Sequence, residues 1–351
     1  MTNEPVQRYM SGRKSGASAD RPRHEGMAPV TPAESGRRLD GDSGEHRVSV
    51  VICAYTEKRW EDIQLAIKSL VEQARPAHEV ILVIDHNDAL LDRATREFSW
   101  VRVIASTGPQ GLSGARNTGV AAATGDIVAF LDDDARAHVD WLAKLIAPYD
   151  DPAVYGVGGA VSPLWPVVRP RWFPAEFDWV VGCSYVGLPT QLATIRNPIG
   201  AAMSVRKAAF DTVGGFTDGI GRVGTRPLGC EETEFYIRVR THIHGAIVLY
   251  NPEAVIDHRV TSQRASWRYF IDRCYAEGLS KAVVARHVGQ DSALESERAY
   301  VRHVLPQAAW QALRTRAWSR AAALFCGLMV TSFGYARGTV AILRGQASFG
   351  A

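Results

Sequence analysis

With 351 residues and 46% hydrophobic side chains, the chain can form one large domain or two ordinary ones around an ample core. Its 40 basic and 37 acidic residues leave a net charge of +3, so no global field selects nucleic acid, and no nucleic-acid partner is expected. The five cysteines (Cys53, Cys183, Cys230, Cys274, Cys326) are scattered without CxxC spacing, which argues against a disulfide framework or a structural zinc and suits a reducing, cytoplasmic setting.

Residues 1–46 are rich in Gly, Ser, Pro and charged residues and contain no apolar run, so a disordered tail without a secretory signal is expected there. From Arg47, "RVSVVICAY" reads as a strand buried on both faces. A helix follows, with Ile63, Ile67, Leu70, Val71 and Ala74 on one stripe and Pro76 beyond its end. "EVILVID" and "VRVIAS" are the second and third strands. "SGARNTGVAAATGD" reads as a helix from near Ser113 to Gly125, leading into the strand "IVAFLD". Strands alternating with helices predict a mostly parallel, Rossmann-like sheet with right-handed crossovers and ligands at the carboxyl ends of its strands.

After the helix "VDWLAKLIAPY" come a strand around "VYGVGGAV" and an irregular stretch, Ser162 to Asn197, dense in Trp, Pro and Arg. Trp165, Trp172, Phe173 and Trp179 there could stack on sugar faces or serve the core, and Arg169 and Arg171 could meet an anionic acceptor. "IGAAMSVR" is strand-like and "KAAFDTV" a short helix that Gly214 or Gly215 can cap. A helix from about Glu231 to Arg240 and two strands, "AIVLY" and "AVIDH", close a domain over 47–260. Residues 261–351 read as helical. Their uncharged stretch "AAALFCGLMVTSFGYA" is shorter than the roughly 20 residues of a membrane span. Two arrangements stay open for it, a helix docked on the domain or a basic amphipathic helix in peripheral contact with the inner face of the cell membrane.

Asp132, Asp133 and Asp134 end the fourth strand. Capping of the next helix accounts for one of them and leaves the repulsion among three unexplained. A divalent cation accounts for all three; hard oxygen ligands suit Mg²⁺ or Mn²⁺, which commonly bind phosphate groups as well. The expected ligand is therefore phosphate-bearing.

From Val48 to about His258 the chain resembles the inverting glycosyltransferases of family 2, with their nucleotide-sugar-binding GT-A fold. The carriers are "VVICAYTE", "VILVIDHND", "GLSGARNTGVAAATGDIVAFLDDD", "GAAMSVR…FDTVGGF" and "LGCEETEFYIRVR", in that order. The resemblance implies transfer from a nucleotide-sugar donor, UDP-linked by preference, to a hydroxyl of a glycan or lipid-linked acceptor. It assigns Ala54, Tyr55, Glu57 and Asp85 to the nucleobase, Arg116 and Asn117 to the nucleotide pocket, and Asp132 to the ribose. Asp134 and His258 would hold the metal, with Asp133 sharing either role. Glu232, where the family more often has Asp, would be the general base, with Glu231 as neighbour or alternate; Glu234 would only complement the helix dipole. Two other readings are a nucleotidyltransferase, against which stands the lack of a glycine-rich signature after the first strand, and a silent carbohydrate- or membrane-binding module.

Overall fold

The computed structural model describes residues 46–221 and 229–345; the tail expected over 1–46 lies, but for its last residue, outside them. A nine-stranded sheet forms the centre. Its first half is the expected parallel block. β1 (Val48–Ala54) pairs with β2 (Glu79–Ile84) on one side and β4 (Ile127–Asp132) on the other, and β3 (Arg102–Ala105) pairs with β2, all parallel. Val50, Val51, Ile52, Ile81 and Leu82 have no more than 1% exposure, as a strand covered on both faces requires. Beyond β4 the sheet is mixed: β8 (Ala202–Arg206) joins antiparallel, then β6 (Val154–Leu164), then β9 (Ile247–Arg259), which is parallel to β6.

Several local expectations differ from the structure. A helix, α2 (Asp88–Glu97), fills the connection between β2 and β3; Asn87 caps it by accepting from the Leu90 amide. The two strands expected at "AIVLY" and "AVIDH" are one, β9, whose register against β6 shifts between Gly159 and Ala160 and so accommodates Pro252. A three-residue strand, β5 (Ala135–Ala137), follows the aspartate run and pairs antiparallel with β9. Helices α1 (Trp60–Val71), α3 (Leu112–Ala122), α4 (Trp141–Ile146), α5 (Ala208–Val213) and α6 (Glu231–His242) stand close to their expected places.

The C-terminal region is helical: α7 (Trp267–Val288), α8 (Gln290–Ala299), a π turn at Tyr300–Val304, α9 (Leu305–Arg314) and α10 (Trp318–Leu343). α10 runs along α7 at backbone contact distance. A Cβ on Gly278 would lie 2.1 Å from the Thr331 carbonyl oxygen, and one on Gly334 2.3 Å from that of Tyr275, so both positions require glycine. Trp172 and Phe173 pack with Trp267 and Phe270 of α7, and Trp165 packs on Phe173. Of the two roles left open for these rings, the structure shows packing: they form the apolar seam between the Trp-rich stretch and the helices. Arg169 is likewise engaged: both its terminal nitrogens donate to the Asp178 carboxylate at 2.6 Å.

Candidate active site

A cavity of about 1030 Å³ opens at the carboxyl ends of β1, β2 and β4 and extends to the C-terminal helices. Ala54 and Tyr55 line it, as does Asp85, whose Oδ2 accepts from the Gly111 amide at 2.9 Å while Oδ1 lies 2.7 Å from His86 Nδ1. Glu57 does not line it. The Thr56 hydroxyl accepts from the Lys58 amide and starts a 3₁₀ turn that directs Glu57 to solvent and brings Arg59 to the wall instead.

The aspartate run is the turn between β4 and β5. Asp132 is half-buried at the strand end, whereas Asp133 and Asp134 are buried. The β5–β9 register pairs Ala135 with His258, which puts the imidazole beside the turn. His258 Nε2 is 3.1 Å from Asp134 Oδ1 and 3.8 Å from Asp132 Oδ2. One ligand atom from each of these three residues lies within 4.8 Å of the others, a set of hard oxygen and imidazole donors that fits a divalent cation. Asp134 Oδ2 is buried without a hydrogen-bond partner, as is Asp133 Oδ2. Arg59 and Arg264 nitrogens nevertheless lie 3.3 Å and 3.5 Å from Asp134 Oδ2, within ion-pair distance.

Arginines meet part of the charge that the sequence pattern assigned wholly to a metal. Arg59 donates to Asp133 at 2.6 Å and lies 3.3 Å from Asp134, and Arg264 lies 3.5 Å from Asp134. Burial pushes the Asp134 carboxyl up, but His258, Arg264 and Arg59 outweigh it and hold the group well below the usual carboxylate range. For Asp133 the balance is reversed: burial, with Asp134 and Asp132 beside it, raises the carboxyl to about 7 against the pull of Arg59. The "EKR" segment directly after the loop that follows β1 was the available signal for Arg59. Arg264 has no local signal, because the turn after β9 delivers it.

Arg116 on α3 joins the aspartates to α6. It is buried; Nη1 donates to Glu231 Oε1 at 2.7 Å, and Nη2 donates to the Gly200 carbonyl at 3.1 Å and lies 3.9 Å from Asp132 Oδ1. Asn117, expected in the same pocket, is turned away. Its amide and carbonyl make 2.8 Å hydrogen bonds with the carbonyl and amide of Phe216, which pins the segment before α6 and takes the residue out of the cavity lining. Glu231 and Glu232 open α6 on the cavity wall. Burial and the adjoining Glu231 push the Glu232 carboxyl up to about 7, against the pull of Arg116. Glu234 is occupied by Arg238, at 2.7 Å, and by the Thr217 hydroxyl.

The model of the family described as "Glycosyl transferase family 2" matches residues 49–214. A glucosyl-dolichyl phosphate glucuronosyltransferase of Haloferax volcanii is 31% identical over 263 residues, 74% of this chain and 83% of that protein. The chain is a family 2 glycosyltransferase. Two solved structures share the GT-A fold of this glycosyltransferase. A mannosyltransferase of Pyrobaculum calidifontis, in complex with GDP-Man and Mn²⁺, superposes with a TM-score of 0.52 at 18% identity, covering 82% of this chain and 88% of its own. GalNAc-T7 with UDP, GalNAc and Mn²⁺ gives 0.51 at 15% identity, covering 74% of this chain and 58% of its own. The family 2 glycosyltransferase is thus an enzyme that moves a sugar from a nucleotide-sugar donor, which sets aside the nucleotidyltransferase and silent-module readings.

Proposed function

We propose that the enzyme is a metal-dependent, inverting glycosyltransferase that takes the sugar of a UDP-sugar and releases the nucleoside diphosphate. The acceptor would be a hydroxyl of a glycan or lipid-linked molecule, met at the inner surface of a membrane from the cytoplasm. The observation that carries the reading is the convergence of Asp132, Asp134 and His258: Asp132 lines the cavity that also holds Glu232, and Asp134 and His258 are buried next to it. Mn²⁺ or Mg²⁺ bound there would stabilise the charge that grows on the diphosphate as the C1–O bond breaks. The GT-A neighbours with Mn²⁺ and nucleotide or nucleotide sugar are consistent with it.

The other roles belong to side chains of the chain. Ala54, Tyr55 and Asp85 bound the nucleobase end of the cavity, and Asp132 faces the ribose. Glu232 takes the proton of the acceptor hydroxyl as that oxygen attacks C1 from the face opposite the diphosphate. Its raised proton affinity suits a base that works near neutral pH. Arg116 holds Glu231 fixed, so that the neighbouring Glu232 backbone starts α6 in one position. Domain limits of 47–260 for catalysis and 261–351 for the helical region follow the same reading.

Calorimetry of the purified chain against UDP, GDP and TDP, with and without Mn²⁺, tests donor and metal together. UDP binding strengthened by Mn²⁺ is the expected result; equal affinity with the metal absent would remove the metal role. In turnover, the product carries the opposite anomeric configuration to the donor, readable by NMR.

A further inference from the structure

The cavity does not end at the catalytic residues. Leu328, Thr331, Ser332 and Tyr335 of α10 line it as well, and Ser332 is also solvent-exposed, so the cavity reaches the surface along one edge of this helix. The neighbouring face of α10 carries Trp318, Phe325, Met329, Phe333, Val340 and Leu343, all exposed and spaced as one helical stripe. The opposite face, through Leu324, Gly327, Gly334 and Gly338, packs inward on α7 and Phe177. α10 is thus both docked on the domain and apolar outward, which combines the two arrangements left open by the sequence. At 26 residues it is also longer than its uncharged stretch suggests, long and apolar enough to span a bilayer.

The surrounding charge identifies what covers the stripe. From Tyr300 to residue 351 there are six arginines (Arg302, Arg314, Arg316, Arg320, Arg337, Arg344) and not one acidic residue, and of these Arg320 pairs with Glu176. Arg314 and Arg316 sit at the turn between α9 and α10, which Trp310 and Trp318, both exposed, flank. Indole rings beside guanidinium groups, next to an apolar face, match the boundary between anionic headgroups and acyl chains. A second copy of the chain would set these cations against one another.

Inside the cavity, between α10 and the catalytic end, Arg196, Arg273 and Lys281 pair with Glu277 and Glu297. Glu297 takes Arg196 at 2.6 Å and Lys281 at 2.7 Å, while Glu277 takes Arg273 at 2.8 Å. Arg240 and Glu295 line the cavity as well, and Arg273 Nε is buried without a hydrogen-bond partner. This wall suits an anionic head on an acceptor.

We propose that α10 lies in the surface of an anionic lipid bilayer, apolar stripe inward, and that a lipid-linked acceptor with an anionic head enters the cavity sideways past Ser332. The proposal rests on the glycosyltransferase reading for the cavity and adds where its acceptor comes from. Flotation of the full chain with phosphatidylcholine vesicles, with and without phosphatidylglycerol, tests it. The chain should float with the anionic vesicles only and be released by alkaline carbonate and, in part, by salt. Phe325→Glu combined with Phe333→Glu, and separately Arg314→Glu combined with Arg316→Glu, should each cut partitioning by at least about tenfold. Both should leave the affinity for UDP with Mn²⁺ unchanged.

Absence of flotation by the wild-type chain would overturn the docking even where UDP still binds; flotation without UDP binding would overturn the functional reading instead. Resistance to carbonate would mean a spanning helix, and a dimer that the Phe325→Glu/Phe333→Glu variant splits without any flotation would mean a second copy; either result defeats the proposal. The sideways entrance has its own check. Ser332→Trp should keep flotation and UDP binding but lose at least about tenfold of labelled-sugar transfer into the organic-soluble lipid of native membranes; undiminished transfer would exclude this route.

Discussion

At the end of the cavity that holds the aspartates, carboxylates stand on strand ends and helix N-termini, and three have a close cationic or amide partner. Arg59 meets Asp133, Arg116 meets Glu231, and the Gly111 amide meets Asp85, all within 3 Å. At the far end, helices α7 to α10 present an outward apolar stripe, arginines without acidic neighbours in sequence, and a wall that carries Arg273 and Lys281. On the proposed reading the first arrangement would fix a small, highly charged ligand by preset geometry, and the second would be a surface for something larger. Changes at the two ends of the cavity should then separate chemistry from delivery.

The largest separation is expected at Glu232. Glu232→Gln should lower turnover by about 10²–10⁴ while UDP affinity stays within about twofold, measured by steady-state kinetics alongside calorimetry. In the wild type, kcat/KM should rise with pH up to about 7, where the Glu232 carboxyl loses its proton, and the acidic limb should vanish in the Gln variant. The sign follows from the role: a base works only when ionised, and burial delays its ionisation.

Arg116→Met sharpens the contrast from the side of stability. It leaves Glu231 buried without its partner and should cost about 3–5 kcal/mol in denaturant unfolding, if the protein folds at all. His258→Ala should weaken Mn²⁺ binding by at least about 10-fold with little effect on vesicle flotation, read by calorimetry and flotation on one sample. Gly334→Val acts on the other region. The added side chain meets the Tyr275 carbonyl and should separate α10 from α7, costing about 1–3 kcal/mol in thermal unfolding while the UDP affinity of the folded protein is retained. Asn117→Ala, which removes two hydrogen bonds to the Phe216 backbone, should cost about 1–3 kcal/mol with no direct loss of nucleotide affinity.

The parallel half of the fold and the donor motifs are legible in the chain because their determinants are local. β-branched runs such as "VVIC" and "ILVI" can be little else than buried strands, and the three aspartates fall one after another at the end of a fourth. Glu231 and Glu232 are legible for the same reason, as the first residues of a helix. Glu57 and Asn117 show the limit of this reasoning. Both belong to motifs with the expected sequence, yet a hydroxyl cap turns one to solvent and a backbone clip holds the other against Phe216. Trp172 and Phe173 carry the composition of a sugar platform, and only packing on Phe270 shows them to be core.

By itself, then, the sequence determined the strands of the parallel half and most helices, where negative charge accumulates, and that the last stretch is basic and partly apolar; these depend on residues close together in the chain. Tertiary structure alone decided that the β5–β9 register brings His258 to Asp134, that Arg59 and Arg264 share the aspartates' charge, and that α10 is cavity wall on one edge and exposed apolar surface on another. The reason is that side-chain neighbours across a sheet or between helices are set by register and crossing geometry, over separations where one residue of slip reverses which face a side chain occupies.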